Sequence, residues 1–84
     1  MEIKMARVSV EEDFLISLLN FKINRLKEQI DGILAKWDYT SSNEFLKHAK
    51  DGTLSEAEMD AIELINLIEE RERLIDKKTS VSRV

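Results

Sequence analysis

The sequence predicts an all-α protein, a long antiparallel helical hairpin with a short helix between its two long helices. Three observations carry this reading. Proline is absent and glycine occurs only twice, so long stretches contain no helix breaker. Apolar residues recur in steps of three and four over most of the chain, the spacing of a helix face rather than the alternation of a strand. Ser-x-x-Glu boxes at Ser9/Glu12, Ser41/Glu44 and Ser55/Glu58 offer three helix starts. In each, a hydroxyl can accept from the third helical N–H while the carboxylate reaches back to the start.

The first helix is expected from about Val10 to Lys36. Ile16, Leu19, Ile23, Leu26, Ile30, Ile33 and Trp37 alternate steps of three and four without a miss, a seam of coiled-coil type that faces another helix along its length. Gly32 lies off the seam; it weakens the last turns by about 1 kcal/mol relative to alanine and makes room for a bend. A second row, Phe14, Leu18 and Phe21, runs beside the seam on the amino-terminal half, with Leu15 adding breadth. One further long helix cannot cover both rows. Phe14, Leu18 and Phe21 are therefore the candidate partner-binding residues.

Trp37 to Thr40 form the connection to a short helix from Ser42 to Lys50, with Phe45, Leu46 and Ala49 turned inward. Trp37, Tyr39 and Phe45 gather around this connection as core. Gly52 supplies the left-handed position that ends the short helix. Leu54 and Met59 are placed to form a hydrophobic staple across the start of a third helix, about Glu56 to Lys77. Its stripe is Ala57, Ala61, Leu64, Ile68 and Ile75, flanked by Ile65, Leu67 and Leu74 and interrupted by Arg71. The first seven residues and those from Thr79 to Val84 lack a pattern and are expected to be mobile. The chain thus reads as a single helical domain over residues 1–84.

Size adds a constraint. A chain of 84 residues buries only about 60–65% of the surface its unfolded form exposes, so its core is marginal alone. The absence of cysteine removes disulfide staples and leaves oligomerisation as the expected reinforcement. The expected assembly is a dimer, or a complex with a different small protein, that forms a bundle of at least four helices. Apolar runs no longer than that of Phe14-Leu15-Ile16 exclude a membrane span, and the cysteine-free composition fits the cytoplasm.

Charge argues against nucleic acid as a partner. The net charge is −4, and Lys22, Arg25, Lys27, Arg71, Arg73, Lys77 and Lys78 are interleaved with Glu28, Asp31, Glu69, Glu70, Glu72 and Asp76. Such mixing reads as solvated helix faces, with pairs such as Glu69 to Arg73 at i,i+4.

The run Asp51-Gly52-Thr53-Leu54-Ser55-Glu56-Ala57-Glu58 has the look of the second half of an EF-hand loop. With Gly52 at the loop's sixth position, however, Lys47 and Ala49 stand where the first two carboxylate ligands belong. No metal site is assigned. His48, the single histidine, has no second histidine or cysteine to share a metal with and is read as structural, with Glu44 its helix-face hydrogen-bond partner. No phosphate loop, nucleophile elbow or framed carboxylate pair is present, so no catalytic or cofactor-binding residue is assigned.

The order of a long helix, then Trp37-Asp38-Tyr39-Thr40-Ser41-Ser42-Asn43-Glu44-Phe45, then Gly52-Thr53-Leu54 and an acidic third helix resembles small archaeal and bacterial antitoxins of toxin–antitoxin pairs. The resemblance spans roughly residues 20–76. It departs from their pattern in the spacing Lys36-Trp37-Asp38-Tyr39 and in Ser55-Glu56-Ala57-Glu58-Met59-Asp60, where an acidic-aromatic run often follows. It implies a non-enzymatic protein that binds and masks a small partner through its helical faces. The alternatives are a structural homo-oligomeric bundle and an enzyme similar to the small all-helical chorismate mutases, whose first helix "LKEQIDGIL" of Leu26 to Leu34 faintly resembles. Those enzymes need several cations converging on a dicarboxylate, whereas Arg25 is the single arginine of the expected first helix.

Overall fold

The structure, a computed structural model, describes residues 2–82, with side-chain surroundings for 11–81. Three helices follow in order: α1 (Glu2–Lys36), α2 (Ser42–Lys50) and α3 (Glu58–Ser82). The long helices α1 and α3 pack antiparallel with short α2 between them in sequence, in a rod of 62 × 18 × 17 Å. The all-α hairpin expected from the periodicity is the observed fold.

The boundaries differ at three places. α1 runs straight through Ser9, so the Ser9/Glu12 box does not start it. Glu2, Lys4, Met5, Ala6 and Arg7 are strong helix formers, and extending an existing helix adds one hydrogen bond per residue fixed, which a potential cap does not outweigh. α3 likewise continues past Lys77 to Ser82. There the Thr79 hydroxyl donates to the Ile75 carbonyl one turn back at 3.0 Å, which satisfies the group inside the helix. Met1, Arg83 and Val84, counted among the mobile ends in the sequence reading, lie outside the described residues.

The third difference is the start of α3. Ser55 does not cap it: the helix opens at Glu58, with Ala57 just before it and the Ala57 carbonyl accepting from Ala61 N–H at 2.8 Å. Ala57 is wholly buried and its N–H donates to the Leu54 carbonyl at 3.2 Å, so Leu54 to Ala57 form a turn whose two apolar ends face the core. Burial of Ala57 thus sets the helix start three residues after the proposed cap. The staple between Leu54 and Met59 is absent as well. Leu54 packs on the core, while Met59 is 78% exposed.

Each end of α2 follows from its own residues. Ser41 is extended, with φ −117° and ψ 124°, and its side chain accepts from Glu44 N–H at 3.3 Å, as the capping box predicts. At the other end Gly52 takes φ +88°, a left-handed conformation that glycine adopts without a Cβ penalty. The chain then closes back, Leu54 N–H donating to the His48 carbonyl at 3.1 Å.

The end of α1 is a defined helix stop and not simply a connection. Asp38 has φ +61°, and Tyr39 N–H donates to the Leu34 carbonyl at 2.8 Å while Asp38 N–H donates to the Ala35 carbonyl at 3.1 Å. This is a Schellman motif with aspartate in the position that usually holds glycine. Its usual hydrophobic contact is present too, since Tyr39 packs on the cluster that contains Leu34.

The core sits at this end of the rod. Ile30, Leu34, Phe45, Ala57, Ala61 and Leu64 form the buried cluster, with Trp37, Tyr39, Leu46, Leu54 and Ile68 packed around it. Phe45, wholly buried, stands 5.5 Å from Tyr39 in edge-to-face contact and 6.2 Å from Trp37. Leu34, outside the proposed seam, is buried, while Ile33 beside it is only partly so. The shift toward Leu34 follows α2, which widens the covered sector of α1 where Phe45 docks.

Farther out only two helices face each other. Leu19 and Leu26 are buried there, but Ile16 and Ile23 are half-buried and Ile75, on the proposed stripe of α3, is exposed. Arg71 fills the break in that stripe; its Nε is buried without a hydrogen-bond partner. Gly32 stands within unbroken α1, with open space where a Cβ would project.

Two outcomes follow for stability. Asp38→Gly, which removes the left-handed penalty, is expected to raise unfolding free energy by about 1 kcal/mol, measured by urea denaturation. Leu26→Asp, which buries an unpaired carboxylate at a fully covered site, is expected to abolish the cooperative thermal transition seen by circular dichroism.

Candidate interaction surface

The row singled out on α1 lies in the open. Phe14 is 63% exposed, Leu18 50% and Phe21 67%, with Leu15 also exposed beside them. At 3.6 residues per turn Phe14, Leu18 and Phe21 fall within about 60° of one another on α1, about 80–180° around the helix from buried Leu19, Leu26 and Ile30. The same helix therefore carries two apolar faces, one spent inside the hairpin and one facing solvent. Aromatic side chains on such a face bury large areas on contact with little loss of rotamer freedom.

Helix lengths place this face at the thin end of the rod. α1 has 35 residues and α3 has 25, a difference of about 15 Å in length. The helices meet in register where α1 ends and α3 begins, at the Lys36 to Asp60 contact, so the excess lies at the amino end of α1. Phe14 to Phe21 lie opposite the last two turns of α3, next to the overhang and far from α2.

A second open apolar area was not legible as such in the sequence. Ile62 and Ile65 on α3 are exposed and line a groove with Leu46 and Ala49 of α2 and Ala61 at its floor. Their signal was present, because Ile62 and Ile65 lie about 160° and 100° around α3 from buried Leu64. The spacing makes Ile65 a flank of the stripe, whereas the groove beside α2 leaves it open.

The polar contacts gather at the hinge. The Trp37 indole N–H and Lys36 Nζ both donate to Asp60 Oδ2 at 2.8 Å, tying the last turn of α1 to the first turn of α3. These two hydrogen bonds, from Lys36 first and Trp37 second, hold the Asp60 carboxyl below its ordinary value. Lys36 to Asp60 is the ion pair among the described residues; Glu69 and Arg73 do not form the expected pair and instead border an open depression with Glu72 and Asp76.

His48 pairs with Tyr39 rather than Glu44. Its Nδ1 lies 2.6 Å from the Tyr39 hydroxyl, which donates to it when the ring proton is on Nε2, and protonation of the ring reverses the bond. The aromatic hinge, with Tyr39 stacked edgewise on both Phe45 and His48, is a structural assembly.

The EF-hand-like run is occupied by local hydrogen bonds. The Asp51 carboxylate accepts from Thr53 N–H at 2.9 Å and from its hydroxyl at 2.6 Å, and these bonds draw its pKa down. No cluster of three or more His, Cys, Asp or Glu side chains that could hold a metal occurs among the described residues. No helix among them is long and apolar enough to cross a membrane.

Comparison with protein-family models, curated proteins and solved structures returned no match.

The Asp60 contact sets a pH dependence. A carboxylate with a lowered folded pKa contributes stability that is present above its unfolded value, near 3.8, and lost as pH falls through the folded value. Asp60→Asn is expected to lower Tm at pH 7 and to have little effect at pH 2, followed through the fluorescence of the single tryptophan, Trp37.

Proposed function

We propose that this chain is a non-enzymatic protein-interaction module that works by presenting the Phe14, Leu18 and Phe21 face of α1 to another protein. The observation that carries the reading is the exposure of two phenylalanines and a leucine on one line of a helix whose other apolar face is already occupied. An apolar patch of this kind on a small domain marks a contact surface, because leaving it in water forgoes about 25 cal/mol for each Å² that could be covered.

The nature of the open grooves supports the same reading. The one between α2 and α3 is lined mainly by aliphatic side chains, and the depression on α3 mixes Arg73 with three carboxylates. Neither gathers the cations that dicarboxylate chemistry of the chorismate mutase kind requires. The resemblance to antitoxins supports a regulatory form of the module, in which the chain masks a small protein in the cytoplasm.

Native mass tests the proposal. At tens of micromolar the wild-type chain is expected to exceed monomer mass by light scattering, and Phe21→Asp is expected to return it toward the monomer with its helical content kept. A wild-type monomer whose hydrodynamic and thermal behaviour is unchanged by Phe21→Asp would remove this face as a self-association surface.

A further inference from the structure

The charges around the exposed row identify what covers it. Between Asp13 and Lys22 there is no charged residue; the segment before it is acidic, Glu11-Glu12-Asp13, and the segment after it carries Lys22, Arg25 and Lys27. Of these, Glu11, Lys22 and Arg25 lie within about 40° of Leu18 around the helix, on the same face as Phe14 and Phe21. All three are exposed and make no ion pair with another residue among 11–81, whose side-chain surroundings are described.

The pattern is antisymmetric about Leu18. Glu11 stands one heptad before it and Arg25 one heptad after it, while Leu15 and Phe21 lie one turn to either side. A two-fold axis through Leu18 therefore brings a second α1, running the opposite way, into a register in which the outer charges pair and Phe14 falls opposite the aliphatic stem of Lys22. Leu18 meets Leu18, Leu15 meets Phe21, and Glu11 meets Arg25 twice. An isologous contact requires one patch to complement itself, and a charge sequence that changes sign across its centre meets that condition only when the copies run antiparallel. A parallel pair would set Glu11 against Glu11 and Arg25 against Arg25.

We infer that the occupant of this face is a second copy of the chain, its α1 packed antiparallel about Leu18. The inference rests on the proposal that the face is an interaction surface, and it adds the partner, the orientation and the register. The arrangement also supplies what the thin end of the rod lacks. Where α1 and α3 face each other alone, the partner's α1 adds a third helix to each hairpin.

The native chain has no cysteine, so introduced thiols report on this contact alone. Glu11→Cys and Arg25→Cys chains are prepared separately, mixed, and oxidised with copper phenanthroline before non-reducing electrophoresis. The mixture is expected to form a disulfide dimer in at least tenfold greater yield than either variant alone. Crosslinking of Glu11→Cys with itself to the same extent, or none in the mixture, overturns the antiparallel register. Charge reversal gives a second readout, by sedimentation equilibrium. Glu11→Arg and Arg25→Glu are each expected to raise the dimer Kd about tenfold, with the double variant restoring it, because each single change makes two exposed pairs repulsive. Failure of restoration likewise overturns the register.

The two levels of the reading fail differently. If Phe21→Asp separates wild-type dimers but the cysteine mixture does not crosslink, the register is wrong and the interaction face stands. If the wild-type chain is monomeric and Phe21→Asp changes nothing, self-association through this face is refuted altogether.

Discussion

The fold depends on the burial of Phe45. A nine-residue helix has little stability in isolation, and α2 holds its place because this one ring is enclosed among Trp37, Tyr39 and the apolar faces of α1 and α3. With Phe45 seated, the Leu34 and Ala57 sides of the hairpin share one cluster. The left-handed turn at Asp38 and the turn from Leu54 to Ala57 then have the geometry needed to reach it. Truncating such a ring in a core costs about 3–5 kcal/mol, a large part of what a domain this small has available. The Asp60 contact with Lys36 and Trp37 lies at the edge of the same assembly and orients the helix ends rather than supplying the main stabilisation.

Much of this was legible in the sequence, and the reasons are specific. The α2 boundaries follow from Ser41, Glu44 and Gly52, three residues whose side chains or backbone freedom act locally. The Leu19, Leu26 and Ile30 face follows from periodicity. The misses have a common cause. Ser9 and Ser55 have the chemistry of caps, but a cap is a local preference worth about 1 kcal/mol, and continuation of a helix or burial of Ala57 outweighs it. Asp38 gives no clear helix-end signal in the sequence, because the left-handed position after a helix usually holds glycine or asparagine. Phe14, Leu18 and Phe21 stand out as a surplus row because one further long helix cannot cover both apolar faces of α1. The Ile62 and Ile65 groove escaped that count because it depends on where α2 lies against α3.

Apolar burial is unevenly distributed along the rod. At the hinge three helices converge and six residues form a closed cluster, whereas beyond Leu26 the helices meet as a pair and Ile75 remains open to water. The exposed row on α1 lies at this weaker end. Tight packing is thus concentrated at one end of one long helix, and under the proposed function the amino-terminal half accepts contacts without disturbing the packed hinge.

That gradient has a mechanical meaning. The amino end of α1 and the carboxyl end of α3 both lie at the thin end, so tension applied between these two helix ends peels the helices apart from the weakly packed end toward the hinge. The contacts would then yield in sequence, with the shear of a whole interface never borne at once. The hairpin is a zipper whose closed end is the Phe45 cluster, and a second chain bound across α1 would act as a clasp at the end where it opens.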